Sequence, residues 1–146
     1  MSAEQQSLLK LEERNLTPDG LWQAAQDASA AVEAEELAAL EDAAWIRDQR
    51  YRIERLETNH TMNVFAAKVD PNDPDSKSLF TNEGMRKAEV SRRLSNDPAY
   101  KELMAALLVA EKNQAVRKLH IERLLRDYQL AKLMFQFFAI GKRDGD

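Results

Sequence analysis

Residues 81–103, TNEGMRKAEVSRRLSNDPAYKEL, decide the fold, because they place a helix boundary between a basic segment and an apolar one. Asp97-Pro98 has the form of a helix start: an aspartate caps exposed backbone N–H groups, and proline fits the first helical position. After this boundary, Tyr100 and Leu103 begin an apolar stripe. We therefore expect the end of a short helix, a one-residue hinge and the start of a long helix.

The bulk composition favours long helices in an intracellular protein. The chain has 146 residues with four glycines, four prolines and no cysteine. Sparse glycine and proline predict long helices, and without cysteine there is no disulfide framework or thiolate site. The N-terminus lacks the basic start and apolar run of a signal peptide, and no stretch approaches the ~18 apolar residues that cross a bilayer. We expect a cytoplasmic protein with no membrane partner.

The net charge of −4 hides an asymmetry along the chain. Residues 1–42 hold ten acidic and two basic residues, a balance of −8, whereas residues 43–146 hold 19 basic and 15 acidic residues, a balance of +4. Such a division predicts an acidic arm beside a region that meets an anion.

We predict an all-α fold: a long antiparallel helical hairpin with a short intervening helix, coiled-coil-like and assembling into an oligomer. The predicted ranges are a short N-terminal helix or arm (1–20, with the helix at 3–15), a single helical-hairpin oligomerisation domain (21–140) and a disordered tail (141–146).

The first long helix is expected to start with Thr17 as its cap and Pro18 as its first residue, and to run to about Lys68. The prolines and aspartates of residues 70–75 predict a loop, and residues 78–95 a short helix. We expect Trp22–Leu40 to face Leu124–Phe138, and Arg47–Phe65 to face the basic hinge. The apolar stripe of the first helix is predicted as Trp22, Ala25, Val32, Leu40, Ile46, Ile53, Leu56 and Phe65.

The last helix, from Pro98 to about Ile140, has a heptad seam with two polar positions, Gln114 and Arg117. Beyond Leu130 it is apolar nearly all round, which predicts packing against other subunits. The seam is Leu103, Leu107, Ala110, Gln114, Arg117, Ile121, Leu124, Tyr128, Ala131, Phe135 and Phe138. The predicted oligomerisation residues are Ile121, Leu124, Tyr128, Leu133, Met134, Phe135, Phe137 and Phe138.

Catalytic signals are weak, so we expect no enzyme, no cofactor and no metal site. His60 and His120 lie on different helices without paired metal-ligand spacing, and no Gly-rich phosphate loop, nucleophile elbow or HExxH motif is present. Asp70, Asp73 and Asp75 imitate the start of a calcium loop, but the central glycine and terminal glutamate are missing.

The basic segments are the better functional signal, because a repeated basic surface with aromatic rings can follow a nucleic-acid backbone and stack on bases. The alternative is a solvated helix face with i,i+4 ion pairs, which spacing alone favours. Phe80 and Tyr100 are further stacking candidates. The nucleic-acid-binding candidates are Arg47, Arg50, Tyr51, Arg52, Arg55, Arg86, Lys87, Arg92, Arg93 and Lys101.

The order of these segments resembles phage recombination mediators of the UvsY type over about residues 30–140. Residues 86–97, RKAEVSRRLSND, are similar to the basic-helix-to-Leu-Ser-x-Asp passage of that family, and the basic run 46–56 sits where the family also carries lysines and arginines. The resemblance implies ring assembly, single-stranded DNA as a partner, and exchange with a recombinase or single-strand binding protein in the host cytoplasm. The alternative function is a structural or adaptor oligomer, such as a phage virion or scaffold component.

Overall fold

The computed structural model describes Ser2 and residues 17–144, the last three by their backbone alone. The all-α prediction is confirmed: the described residues contain no strand, only an isolated antiparallel bridge between Lys68 and Ser78. The predicted helix at residues 3–15 lies outside the described residues. The helices are α1 (Pro18–Ala66), α2 (Glu83–Asn96) and α3 (Pro98–Asp144).

Each helix starts at a side-chain cap. The backbone N–H of Gly20 donates to Thr17 Oγ1 at 3.1 Å, as predicted for α1. The N–H of Met85 donates to Asn82 Oδ1 at 2.8 Å, so α2 begins at Glu83 and not at residue 78 as we predicted. Asp97 confirms the predicted one-residue hinge, since its N–H closes α2 while its carboxylate caps α3.

The loop between α1 and α2 uses its aspartates for turns. Asp70 Oδ1 accepts from the N–H of Asn72 at 3.0 Å, and Asp73 Oδ1 accepts from the N–H of Asp75 at 3.0 Å. Such Asx turns satisfy the backbone of a proline-interrupted loop. Within the described residues, no cluster of acidic or histidine side chains is arranged to hold a metal ion.

The described residues form two compact units. One, called the terminal unit here, combines the described residues up to Asp42 with those from Asn113 onward. The other, called the hinge unit, is Ala43–Lys112. Both α1 and α3 contribute to each unit.

In the terminal unit, α1 and α3 run antiparallel. Leu21, Ala25 and Ala131 form the buried cluster, and the rings of Trp22 and Phe135 lie 5.4 Å apart. Small alanine side chains let two helix backbones approach closely, so little apolar area is needed to fill the interface. Further along α1, Arg117 of α3 pairs with Glu35 and Asp42.

In the hinge unit, α1 again runs antiparallel to α3, because Arg50 pairs with Glu111 while His60 pairs with Asp97. Ile46, Ile53 and Val64 of α1 and Leu94 of α2 are buried here. Gln49 is buried as well, and its Nε2 donates to Asp48 Oδ2 at 3.3 Å.

The predicted seam of α3 is confirmed from Leu103 to Phe135, where every position is buried or half-buried, but Phe138 is 36% exposed. The predicted stripe of α1 is wrong at Trp22, Leu40 and Phe65, which are 52%, 68% and 54% exposed. The buried positions follow a 3-4 alternation that starts from Leu21, one residue before the position we chose. Leu40 therefore does not face α3 as predicted.

The end of α3 also differs from our prediction. The helix continues through Gly141 to Asp144, so the tail predicted at 141–146 is helical as far as the described residues extend. A Cβ at Gly141 would meet no other atom within 4 Å, and the glycine is an ordinary helical residue rather than a terminator.

Candidate nucleic-acid interface

The basic run of α1 is divided between paired and unpaired arginines. Arg50 Nη2 lies 2.7 Å from Glu111 Oε1, and Arg52 Nε lies 3.1 Å from Asp48 Oδ2. Arg47 is exposed and has no ion pair among the described residues. The Arg55 guanidinium lies 6.0 Å from the centroid of the Tyr51 ring, which is 59% exposed.

The cations of α2 are mostly held by carboxylates on the same helix. Lys87 pairs with the exposed Glu83 at 2.9 Å. Glu89 accepts from Arg92 at 2.7 Å and from Arg93 at 2.9 Å, and its side chain is only 14% exposed. These two guanidinium groups lower the pKa of Glu89 to about 2, Arg92 contributing the larger effect. Glu89 thus neutralises part of the charge that makes this helix a candidate.

Arg86 contacts another element. Its guanidinium lies 4.5 Å from the centroid of the Phe65 ring, and its Nε donates to the carbonyl oxygen of Phe80 at 3.1 Å. Phe65 nevertheless remains 54% exposed. Phe80 and Tyr100, the other proposed stacking residues, are half-buried. Lys101 is exposed and has no ion pair within the described part of the chain.

Two arginine–aromatic pairs therefore lie along one side of α1. Tyr51 and Phe65 are 14 residues apart, which corresponds to about 21 Å along the helix and about 40° around it. Arg47 and Arg55 flank Tyr51 on the same side. We call these five residues, including Arg86, the arginine–aromatic face. It combines two exposed rings with three arginines, none of which has a carboxylate partner among the described residues.

We predicted that Arg47–Phe65 faces the basic hinge, and the second half of that range does so through the contacts of His60 with Asp97 and of Phe65 with Arg86. Arg50 lies ten residues before His60, about 15 Å along the helix, and pairs with Glu111 of α3. The Glu89 ion pairs were foreseeable from i,i+3 and i,i+4 spacing. The contact of Arg86 with Phe65 was not, because it depends on how the loop of residues 67–82 turns.

The predicted oligomerisation residues differ in how far they are exposed. Tyr128, Met134 and Phe135 pack against the buried cluster of the terminal unit, so part of their surface is used within the chain. Leu133 and Phe137 are 63% and 76% exposed. Ile121 and Leu124 are half-buried along the seam, and Phe138 is at 36% exposure with its ring against Phe137.

The two histidines lie in different surroundings. His60 is engaged by Asp97 at 2.7 Å, and His120 is exposed. A groove of about 360 Å³ in the terminal unit is mainly apolar. It is lined by Trp22, Ala25, Gln26, Ser29, Tyr128, Lys132 and Phe135.

Among the described helices, none is long and apolar enough to cross a membrane.

Comparison with known proteins gives no relative from which to transfer a function. No protein-family model, curated protein or solved structure matches this chain. The resemblance to UvsY-type mediators stays a prediction that rests on residues 86–97 and on the order of the helices.

Proposed function

We propose that this protein is a non-enzymatic, oligomeric accessory factor that binds single-stranded DNA and helps to load or exchange a recombinase or single-strand binding protein. The observation that supports this proposal is the arginine–aromatic face of α1, with Tyr51 and Phe65 both more than half exposed beside an arginine. The sequence resemblance to UvsY-type recombination mediators points to the same class.

The face has the chemistry that unpaired nucleotides require. Arginine binds phosphate oxygens, while an exposed ring offers a stacking surface for any base. Bases in a duplex are already stacked on each other, so rings of this kind favour single strands. The ion pairs of Arg50 and Arg52 are on the surface, where such pairs contribute little and exchange readily with phosphate.

Self-association would strengthen the weak DNA binding expected of a single arginine–aromatic face. A homo-oligomer, for instance a ring, repeats the face in every subunit, and linked contacts add through effective concentration. Leu133 and Phe137 are the predicted oligomerisation residues that remain most exposed in the described chain.

A structural or adaptor oligomer is the second candidate, and one observation favours it. Five of the candidate cations, Arg50, Arg52, Lys87, Arg92 and Arg93, already pair with carboxylates of this chain. In this second function, the charged side chains keep a virion or scaffold component soluble, and the protein binds no nucleic acid.

A salt-titrated binding assay against single-stranded and duplex DNA separates the two. For the accessory factor we expect affinity for single strands that falls steeply with salt and depends little on base sequence. Arg47→Gln with Arg55→Gln is expected to weaken binding, whereas the control Lys112→Gln with Lys132→Gln, outside the face, is expected to leave it unchanged. Wild-type protein that binds no single strand at low salt refutes the proposal and leaves the structural function.

Two further variants test the basic hinge and the acidic arm. Arg92→Glu with Arg93→Glu is expected to abolish binding without changing the assembly. Deleting residues 1–20 is expected to leave binding intact or raise it, because the deletion removes acidic residues that oppose the approach of a polyanion.

A further inference from the structure

The terminal unit exposes apolar residues of α3 that lie outside its seam with α1. Val116 and Leu119 are 61% and 62% exposed, although they lie in the middle of a long helix. Arg123 and Arg126 follow on the same side, exposed and without an ion pair among the described residues. Glu122 is the single carboxylate between residues 113 and 126. This surface, from Val116 to Arg126, is called the basic outer face.

A matching surface of opposite charge lies on α1. Leu37 and Leu40 are 64% and 68% exposed and point away from α3. Glu33 and Glu41 flank them, both exposed and without an ion pair in the described part of the chain. No lysine or arginine occurs between residues 15 and 46. Residues 33–41 on this side form the acidic outer face.

The two outer faces lie at the same level of the terminal unit. Arg117 reaches both Glu35 and Asp42, so it is level with the middle of that segment. Leu119 follows two residues later, about 3 Å along the helix axis, and is therefore level with Leu37 and Leu40. Continuing in the antiparallel direction, Arg123 comes level with Glu33.

We propose that the basic outer face of one copy of this chain docks on the acidic outer face of a second copy. Copies placed side by side in the same orientation would bring Leu119 against Leu37 and Leu40, and Arg123 against Glu33. Charge complementarity selects this pairing, because two acidic faces or two basic faces would oppose like charges. The contact is heterologous, so repetition produces a closed ring or an open row of subunits.

This inference rests on the self-association included in the proposed function but does not depend on DNA binding. It places the contact on the outer faces, away from the seam that Tyr128 and Phe135 share with α1. Leu133 and Phe137 extend the same side of α3 and enlarge the docking surface.

Two full-length variants test the pairing. Leu37→Gln with Leu40→Gln removes the apolar part of the acidic outer face, and Val116→Gln with Leu119→Gln removes that of the basic outer face. Glutamine is a good helix former, and all four positions are more than half exposed, so circular dichroism and thermal unfolding should match wild type. Native mass is measured for wild type, for each variant alone and for their equimolar mixture.

A heterologous contact predicts larger assemblies for wild type, a monomer for each variant alone and a one-to-one dimer for the mixture. Each variant keeps one intact face, and the two intact faces are complementary. Self-association of either variant alone would indicate a contact between identical faces and overturn the proposal. A monomeric wild type, or a mixture that stays monomeric, would also overturn it.

Charge reversal gives an independent measurement. Glu33→Lys should weaken assembly, as should Arg123→Glu, and combining the two should restore it. Failure of the combined variant to recover contradicts the charge pairing. Binding of wild type to single-stranded DNA is measured separately, so an assembly that binds no DNA keeps this inference and refutes the proposed function.

Discussion

His60 Nε2 donates to Asp97 Oδ2 at 2.7 Å, and Oδ1 of the same carboxylate accepts from the backbone N–H of Ala99 at 2.9 Å. One aspartate therefore caps α3 and ties its first turn to α1. The two side chains are 21% and 18% exposed, so the contact is partly shielded from water. The hinge that the sequence marks as a local helix boundary is also a tertiary contact.

Acid should weaken the hinge. The hydrogen bond from His60, followed by those from the backbone of Ala99 and Tyr100, lowers the pKa of Asp97 below its ordinary 3.8. A carboxyl group with a lowered folded-state pKa stabilises the fold above its ordinary pKa, and this contribution is lost as pH falls through the lowered value. The pKa of Glu89 is lowered from 4.5 to about 2, so the stabilisation that this carboxylate contributes is also lost as pH falls through that range. Denaturant unfolding as a function of pH measures the effect.

Asp97→Asn is the informative variant for this prediction, because asparagine retains a capping oxygen but carries no titratable charge. We expect its stability to be lower than wild type at neutral pH and to fall less steeply in acid. Asp97→Ala loses the cap as well and should be less stable than Asp97→Asn. An unchanged acid profile for Asp97→Asn would contradict the assignment.

Burial in the hinge unit can be tested with two valines that differ in exposure. Val64 is fully buried and Val69 is 65% exposed, five residues further along the chain. Val64→Ala should lower the free energy of unfolding by about 2–3 kcal/mol, through lost transfer energy and a residual cavity. Val69→Ala should change it by less than ~0.5 kcal/mol. Equal effects for the two, measured by urea unfolding, would show that Val64 is not a core residue.

Releasing the α2 arginines should strengthen DNA binding. Glu89 holds both Arg92 and Arg93, so Glu89→Gln removes a negative charge and frees two cations for phosphate. We expect a several-fold higher affinity for single-stranded DNA at low salt and a log–log salt slope steeper by about one for each new phosphate contact. Glu102→Gln, at an exposed carboxylate without an ion pair among the described residues, is the matched control. Equal affinities for the two variants would mean that Arg92 and Arg93 do not contact DNA.

The contribution of base stacking on Phe65 to DNA affinity should be separable from the contribution of charge. Phe65→Leu keeps an apolar side chain under Arg86 but removes the ring, so single-strand affinity should fall by about 5- to 150-fold, the range expected for one stacked base. Phe65→Tyr retains a ring and should bind as wild type does. A Phe65→Leu protein with normal affinity, measured at fixed salt, would exclude this ring as a stacking platform.

The ion pairs of Arg117 should fix the register of α3 against α1. Its Nε and Nη1 donate to Asp42 at 2.7 Å and Glu35 at 2.8 Å, and the two carboxylates raise its pKa, Asp42 having the larger effect. Arg117→Met leaves both carboxylates unpaired in the seam and should lower the melting temperature. Adding Glu35→Gln and Asp42→Asn should recover part of the loss, because no unpaired charge then remains. If the triple variant recovers no stability, the loss comes from the packing of Arg117 and not from unpaired charge.

The sequence alone determined those features that depend on neighbouring residues. Thr17-Pro18 and Asp97-Pro98 mark helix starts because capping and the fixed proline φ act within one turn. The seam of α3 was readable since a long helix repeats its buried face every three to four residues. The ion pairs around Glu89 follow from the same geometry.

Only the tertiary structure decided what depends on residues distant in sequence. The buried face of α1 starts at Leu21 and not Trp22, because the choice between adjacent apolar positions is made by packing against Ala131. Arg86 reaches Phe65, and Asp97 reaches His60, through the turn of the loop that separates α1 from α2. Leu37, Leu40, Val116 and Leu119 are exposed because the seam between α1 and α3 is already filled on the opposite side of each helix. Local rules set the helices, while long-range packing set which of their faces remain free.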